Sequence, residues 1–471
     1  CRTNRSGCSA MPEPKGRPRS GRGRRRGRRH ERADPPSDEV VDRLRRGLRR
    51  SPADETELVW LDARRGTARS RDSSSDPPEH RETTLFARVL EGGRLGAFRR
   101  GTASDGEIES AIRQAIAQSR TRDALPGLPH LPADDVEPSA IPSLYDEAIA
   151  ALDAEAARRI LADELEGREE ARIDWGVTEL VVMNSRGLTR RARTTQVTVR
   201  ARCGRAPGAG RAAASSRSLD GLDFDALMHR ARRRHGRGPA AELPTDKTTL
   251  VLAQEATIRL IDLLNTTALT ASSYHDGTSF LREHMGVQVL DRRLGLRDDA
   301  TDESALPFPF DFEGTAKRPV DLVVKGTPKT PALDQRQAAL LGLPPTGHAV
   351  AGNDAVAQNL FLLPGEDPHQ KLLEESADGV CIGWLDHVEC YDPLRVRFRA
   401  RARGARRIEG GTLGRPLPDL IWEDSLLRAL SNVSGLGAEM VTWSLGSFVG
   451  GITAPALSLA EVVGLKPDPM L

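Results

Sequence analysis

The side chains able to do metal or nucleophilic chemistry in this sequence are few and badly spaced. Ten histidines stand at 30, 80, 130, 229, 235, 275, 284, 348, 369 and 387, and no two are three, four or five residues apart. Two histidines one helical turn apart can share a metal ion whose bound water a neighbouring glutamate deprotonates. That arrangement is absent here. The closest pair, His229 and His235, is six apart and flanked by arginine. Cys381, His387 and Cys390 supply three soft ligands at a spacing that fits no closed zinc site. A Cys/His nucleophilic pair drawn from the same three residues is the other reading, although nearness in sequence does not create attack geometry.

Charge is patterned more strongly than metal ligands are. Arg395, Arg397, Arg399, Arg401 and Arg403 alternate with Val396, Phe398, Ala400 and Ala402. A period of two puts five guanidinium groups on one face of a strand. Such a face either binds anions, as in nucleic-acid or carboxylate recognition, or is a solvated face answered by acidic residues on neighbouring strands. Overall the 471 residues carry a net charge of +2, but residues 1–34 hold 12 Lys/Arg against 3 Asp/Glu, leaving 57 basic and 64 acidic residues in the remainder. Residues 1–37, centred on Arg24-Arg25-Arg26-Gly27-Arg28-Arg29, are expected to be a disordered tail, because like charges repel and no core can form. The tail reads either as a nucleic-acid contact or as a dispensable extension without aromatics for base stacking.

The elements that position these residues follow from hydrophobic period and turn chemistry. Val41, Leu44 and Leu48 predict a helix from Asp38, and Leu58–Leu61 a buried strand. Leu85–Leu90 and Leu95–Phe98 flank a Gly92-Gly93 hairpin turn. Ser104-Asp105-Gly106-Glu107 is a capping-box start for a helix carrying Ile108, Ile112, Ala115 and Ile116. Five prolines make 121–142 an extended connector. Beyond it one helix is expected with Ala148, Leu152, Ala156 and Ile160 on a face, then strands at Thr178–Met183 and Thr194–Arg202 around the Asn184-Ser185-Arg186-Gly187 turn. Residues 204–218, rich in Gly, Ala and Ser, read as a loop. Leu250–Leu252 is a strand leading into a helix through Leu264. The fold class is α+β: mixed N-terminal α/β layers at 38–120 and 143–245, joined by the 121–142 connector, and a strand-rich C-terminal domain at 246–471.

Five scattered cysteines exclude a disulfide scaffold and suggest a reducing, cytoplasmic compartment. Basic residues at the start lack a following apolar run, so no signal peptide is expected. Val441–Ala460 is uncharged over a membrane-spanning length, except that Gly446, Gly450, Gly451 and Pro455 break it into strands and turns. No membrane association is expected.

Several short motifs share an order with one family. Phe310-Asp311-Phe312-Glu313-Gly314 is followed by a strand at Val320–Val324 and a Thr346-Gly347-His348-Ala349 turn. Upstream stand the Asn184–Gly187 turn, Gly277-Thr278-Ser279-Phe280-Leu281 and Asp298-Asp299; downstream stands Arg407-Ile408-Glu409-Gly410-Gly411. In this the chain resembles the TldD/PmbA proteins, also called modulators of DNA gyrase, over roughly residues 39 to 465. It departs from them at His348, where the family turn more often has Asn, and at Tyr391-Asp392-Pro393-Leu394, where the family has a G-D-F-S-like segment.

The resemblance implies a function. Catalytic members resemble zinc peptidases with His-Glu-x-x-x-His on the helix after the 250–252 strand, and here that helix has no histidine. The chain therefore resembles the PmbA/TldE-like branch. That implies a non-catalytic subunit carrying no cofactor, paired as a heterodimer with a zinc-bearing TldD-like subunit to degrade or trim unfolded peptides. No catalytic residue is assigned. Arg186, Thr346, Gly347 and His348 are peptide-contact or turn candidates; Ser279, Asp299, Asp311, Glu313 and Gly314 are motif positions without an assigned role. The alternative is a nucleic-acid- or gyrase-associated binding protein using residues 1–37, and a third reading is a hydrolase centred on Cys381, His387 and Cys390.

Overall fold

A computed structural model describes residues 37–469 apart from 72–76, 78, 126, 168, 245–246, 352–353 and 447–449. The Arg-rich segment expected over 1–37 lies, but for Ser37, outside the described residues. No described helix is long and apolar enough to cross a membrane.

The N-terminal half builds one antiparallel sheet. Its elements are α1 (Ser37–Arg50), β1 (Glu55–Arg69), β2 (His80–Glu91), β3 (Arg94–Arg100), α2 (Asp105–Ser119), α3 (Glu147–Ala150), α4 (Ala154–Glu164), β4 (Glu170–Asn184), β5 (Thr189–Cys203), β6 (Gly210–Ser216) and α5 (Phe224–Arg234). Strand order is β3-β2-β1-β4-β5-β6. The β2–β3 hairpin turns on Gly92 and Gly93, both with positive φ (55° and 72°), a conformation in which a side chain would clash. Because β1 pairs with β4 (Trp60 opposite Val181), the segments before and after the 121–142 connector share this sheet.

One sheet face is covered by helices. α2 starts with the Ser104/Glu107 capping box and buries Ile108, Ala111, Ile112, Ala115 and Ile116 against Leu58, Trp60, Leu85 and Val89. α4 and α5 cover Ile173, Trp175, Val197 and Val199 farther along. Two expectations are corrected here. The single helix after Ser143 is two, α3 and α4, because Asp146 and Asp153 each accept a backbone N–H and start separate helices. The loop expected over 204–218 contains the edge strand β6, whose small residues let α5 lie close: a Cβ on Gly210 would sit 2.0 Å from the Ala231 carbonyl oxygen.

The C-terminal half is strand-rich. It runs β7 (Thr248–Leu252), α6 (Gln254–Ala268), α7 (Ala271–His275), α8 (Leu281–His284), β8 (Leu296–Asp298), β9 (Val320–Val324), β10 (Thr327–Pro328), α9 (Gln335–Leu341), β11 (Ala349–Val350), β12 (Asp354–Ala355), β13 (Asn359–Leu362), α10 (His369–Glu375), β14 (Val380–Ile382), β15 (Trp384–Asp392), β16 (Arg397–Arg403), β17 (Arg406–Glu409), β18 (Thr412–Pro416), β19 (Leu420–Ser425), α11 (Leu426–Ser431), β20 (Val433–Trp443), β21 (Gly451–Val462) and β22 (Leu465–Pro467). The main sheet has the order β10-β9-β8-β13-β21-β7-β14-β17-β18, with β20 also on β21. A smaller sheet, β15-β16-β19-β22, packs Phe398 and Trp422 into the same core as α6. The halves meet where Phe308, Phe310 and Phe312 lie against Val59, Leu61, Leu180 and Val182 on the uncovered sheet face. Burying three phenylalanines contributes several kcal/mol, at about 1.5–3 kcal/mol each.

Candidate functional site

The junction between the halves gathers the buried charges of the Asp311–Ala349 stretch. Asp311 organises it. Its Oδ1 accepts the N–H groups of Glu313 and Thr315 (2.9 Å each), and its Oδ2 accepts that of Ala349 (3.0 Å). Burial and the neighbouring Glu313 push this carboxyl up to about 8, against the pull of those N–H groups and Lys317. Gly314 closes the bend at φ 76°, where a Cβ would meet Leu188 at 2.6 Å.

Glu313 leaves the bend toward the N-terminal sheet. It pairs with Arg88 on β2 and accepts the Gln335 N–H at the start of α9 (2.9 Å). Arg88 also bonds Glu57, its cross-strand neighbour on β1, at 3.0 Å. Glu57 is 2% exposed; burial pushes it up to about 7, with Arg88 opposing and Glu313 adding to the shift. Asp334 caps α9 through the Gln337 N–H (2.6 Å), and burial together with Glu313 pushes it up to about 6. Glu57, Arg88, Glu313 and Asp334 line a cavity of 380 Å³ whose other walls include Val59, Phe86, Phe98 and Phe312.

The Thr346-Gly347-His348 turn is held in a second buried network. Thr346 Oγ1 donates to the Leu333 carbonyl (3.0 Å) and accepts the Leu333 N–H (2.7 Å), so His348 Nδ1, 2.7 Å away, must donate to it. His348 Nε2 lies 3.1 Å from Asp298 Oδ2 but off the hydrogen-bonding direction, so this contact is electrostatic. Asp298 Oδ1 accepts the N–H groups of Gln358 and Asn359. Burial would raise the Asp298 carboxyl; His348, Lys317 and these N–H bonds outweigh it and hold it well below the usual carboxylate range.

The remaining sequence candidates are dispersed. Arg186 is exposed in its turn, its N–H held by Asn184 Oδ1 (3.0 Å). Ser279 is buried and donates to the Ala268 carbonyl at the end of α6 (2.6 Å). Asp299 fixes a local turn by accepting from Thr301. Thr346, Gly347 and His348 are all buried.

Cys381 is buried on β14, whereas His387 and Cys390 lie on β15 in the other sheet, and His387 is exposed. Burial pushes the Cys381 thiol up to about 11, the wrong direction for a nucleophile. Among the described residues no three His, Cys, Asp or Glu side chains converge as a metal-ligand set. Arg397, Arg399, Arg401 and Arg403 share one face of β16, whereas Arg395, expected on the same strand, lies in the turn before it, where Val396 has a positive φ of 44°; acidic residues answer most of the row, Arg395 pairing with Asp392, Arg399 with Glu423, Arg401 with Asp468 and Arg403 with Asp419.

At the start of α6 a further charged pair is closed. Glu255 is 0% exposed and accepts from Arg234 Nη1 (2.6 Å) and from the Ala213 N–H (2.9 Å), with Arg230 3.7 Å away. Arg234 also donates to Gln254 Oε1 (2.7 Å).

Residues 245–463 match the model of the PmbA/TldA metallopeptidase C-terminal domain. In this C-terminal half the chain is similar to the TldD/PmbA proteins. Solved structures share the fold over nearly the whole length: a candidate modulator of a DNA gyrase from Thermotoga maritima (TM-score 0.77, 19% identity, 92% of this chain and 100% of that one) and TldE from Thermococcus kodakarensis (0.76, 16%, 90% and 99%). A third, from Bacteroides thetaiotaomicron, has a TM-score of 0.72 at 18% identity, covering 90% of this chain and 98% of that one. A protein of Methanothermobacter thermautotrophicus named Metalloprotease is 27% identical over 168 residues, 35% of this chain and only 37% of that protein's length.

Within the TldD/PmbA fold, α6 is the helix on which the sequence resemblance places the zinc motif of catalytic members. The residues present do not fit zinc. α6 contributes no imidazole, and the carboxylate of its first turn has both oxygens committed to Arg234 and Ala213. No step through a metal is derived for this chain. Sequence reading did not single out Glu57, Arg88, Asp334, Arg234 or Glu255. The available signal was a charged residue on the inward phase of an apolar strand, as at Glu57 and Arg88.

Proposed function

We propose that this chain is the catalytically silent subunit of a TldD/TldE-type metallopeptidase heterodimer. It completes the chamber in which a zinc-bearing partner degrades or trims unfolded peptides, holding substrate extended by strand pairing. The observation that carries the reading is the buried Arg234–Glu255 pair at the start of α6. A general base must be free to take a proton and a ligand must offer a lone pair; Glu255 offers neither. The kinship with metallopeptidases and the fold shared with a TldE structure support the same assignment.

The test is zinc content and peptidase activity of the purified chain, alone and mixed with a zinc-bearing TldD-like protein from the same cell. Stoichiometric metal and cleavage appearing only in the mixture is the expected result. Cleavage by the chain alone that is lost on chelation overturns the reading.

A further inference from the structure

Arg397 is the member of the arginine row that no carboxylate answers, and it stands in the wall of an open groove. The groove, 650 Å³ in volume, runs between α8, the 393–396 turn that joins β15 to β16, the start of α11, and Val463 between β21 and β22. Apolar side chains stand in solvent there. Leu394 is 52% exposed and Val463 42%, and Tyr391, beside Arg397, is 57% exposed. Single exposed apolar residues are ordinary, but these are three of the seven large ones exposed among the described residues, and gathered together they mark an interaction surface.

The turn holds Leu394 in a fixed place. Val396 keeps its positive φ of 44°, unfavourable for a β-branched side chain, because it is buried and its carbonyl accepts the Leu426 N–H (2.9 Å). Ser425 Oγ ties down the same turn by donating to the Arg395 carbonyl (2.8 Å). A side chain presented by a fixed turn loses little freedom on binding.

Charge supplies the second observation. Arg395 and Arg428 are matched, by Asp392 at 3.1 Å and by Asp424 at 2.8 Å. Arg282 and Arg397, both exposed, have no carboxylate within ion-pair distance among the described residues; Asp392 acts on Arg397 only from farther away. Glu423 is shared between Arg399 (3.3 Å) and Lys466 (3.1 Å), which leaves another cation partly unanswered. Against this surplus the groove wall adds only Glu283, so the surface is positive around its apolar centre.

We propose that this groove docks an acidic segment of a partner protein, with a large apolar side chain seated among Leu394, Val463 and Tyr391 and flanking carboxylates on Arg282 and Arg397. Exposed ion pairs contribute little, so the apolar anchor carries the affinity and the arginines select the partner. A second copy of this chain would bring like charges together at this surface. A nucleic acid would answer the arginines, but its phosphates gain nothing from Leu394 and Val463.

The experiment is fluorescence anisotropy of a labelled, capped peptide in which two leucines are flanked by glutamates, titrated with the full chain. Saturable binding is expected. Peptides with serine for leucine, or glutamine for glutamate, should bind at least about tenfold more weakly. Leu394→Ser, and separately the double variant Arg282→Gln/Arg397→Gln, should weaken the first peptide by a similar factor. Both proteins should melt as the parent does, since all three side chains are exposed. An unlabelled single-stranded DNA oligonucleotide should fail to displace the peptide. Affinity unchanged in Leu394→Ser or in the arginine variant, displacement by the oligonucleotide, or no saturable binding by the parent overturns the proposal. None of these results depends on zinc or on a zinc-bearing subunit, so this proposal and the subunit reading fail separately.

Discussion

Arg234 Nη1 lies 2.6 Å from Glu255 Oε2, joining the last turn of α5 to the first turn of α6. Neither side chain has solvent to fall back on, at 8% and 0% exposure. Removing one partner strands the other charge, which costs about 3–5 kcal/mol, whereas removing both can be nearly neutral. Arg234→Met should therefore lower unfolding free energy by roughly that amount, and adding Glu255→Gln should restore much of it. Urea denaturation of the parent, the singles and the double variant measures this.

Glu57 sets a pH dependence opposite to that of most carboxylates. Its folded value is raised from 4.5 to about 7 by burial, so its favourable contribution is complete below pH 4.5 and lost as pH rises through about 7. Relative to the parent, Glu57→Gln should gain stability between pH 4.5 and 8, by up to roughly 3 kcal/mol. Denaturation midpoints across that range test it; an unchanged gap between the two proteins would contradict it.

Asp298 has the other sign. With His348 and Lys317 holding it below its ordinary 3.8, its contribution is present above that value and disappears as pH falls through the lower folded value. Asp298→Asn should cost about 3–5 kcal/mol at neutral pH, because the buried Lys317 loses a counter-charge. The deficit should shrink below about pH 4. Thermal unfolding of both proteins at acidic and neutral pH gives the answer.

Gly210 is required by close approach rather than by dihedral angle. A Cβ there would sit 2.0 Å from Ala231 O and 2.6 Å from His235 N, backbone atoms that cannot swing aside. Gly210→Ala should cost at least about 1–3 kcal/mol by forcing α5 off β6. Since α5 carries Arg234, adding Arg234→Met to this variant should cost less than it does in the parent. A double-mutant cycle reads the coupling.

Local features were readable from sequence because their partners are close. The Ser104/Glu107 box, the Gly92-Gly93 hairpin and the alternation at Arg397–Arg403 each depend on neighbours a few residues away. The α+β class and the strand-rich C-terminal half followed from the same kind of signal. The Phe310–Gly314 motif was visible, but its environment was not. Glu313 meets Arg88 across 225 positions, and Arg88 meets Glu57 across 31, so no window of sequence contains the cluster. β6 was missed for another reason. Its Gly-Arg-Ala-Ala-Ala-Ser-Ser sequence lacks the branched residues that signal strands, because α5 needs the space they would fill.

β21 touches three strands. β20 lies antiparallel along it, while β13 pairs in parallel with residues 451–453 and β7 pairs with residues from 457 onward. Until residue 462 has been synthesised, the β8–β10 and β13 group has no seam to the β7, β14, β17 and β18 group. Each group can pair its own strands earlier, but the edges of β13 and β7 that face β21 stay open until then, and an open strand edge on a nascent chain is prone to aggregation. The N-terminal sheet has all six of its strands by residue 216 and can close long before. Synthesis order thus divides one tightly joined molecule into an early-folding half and a late one.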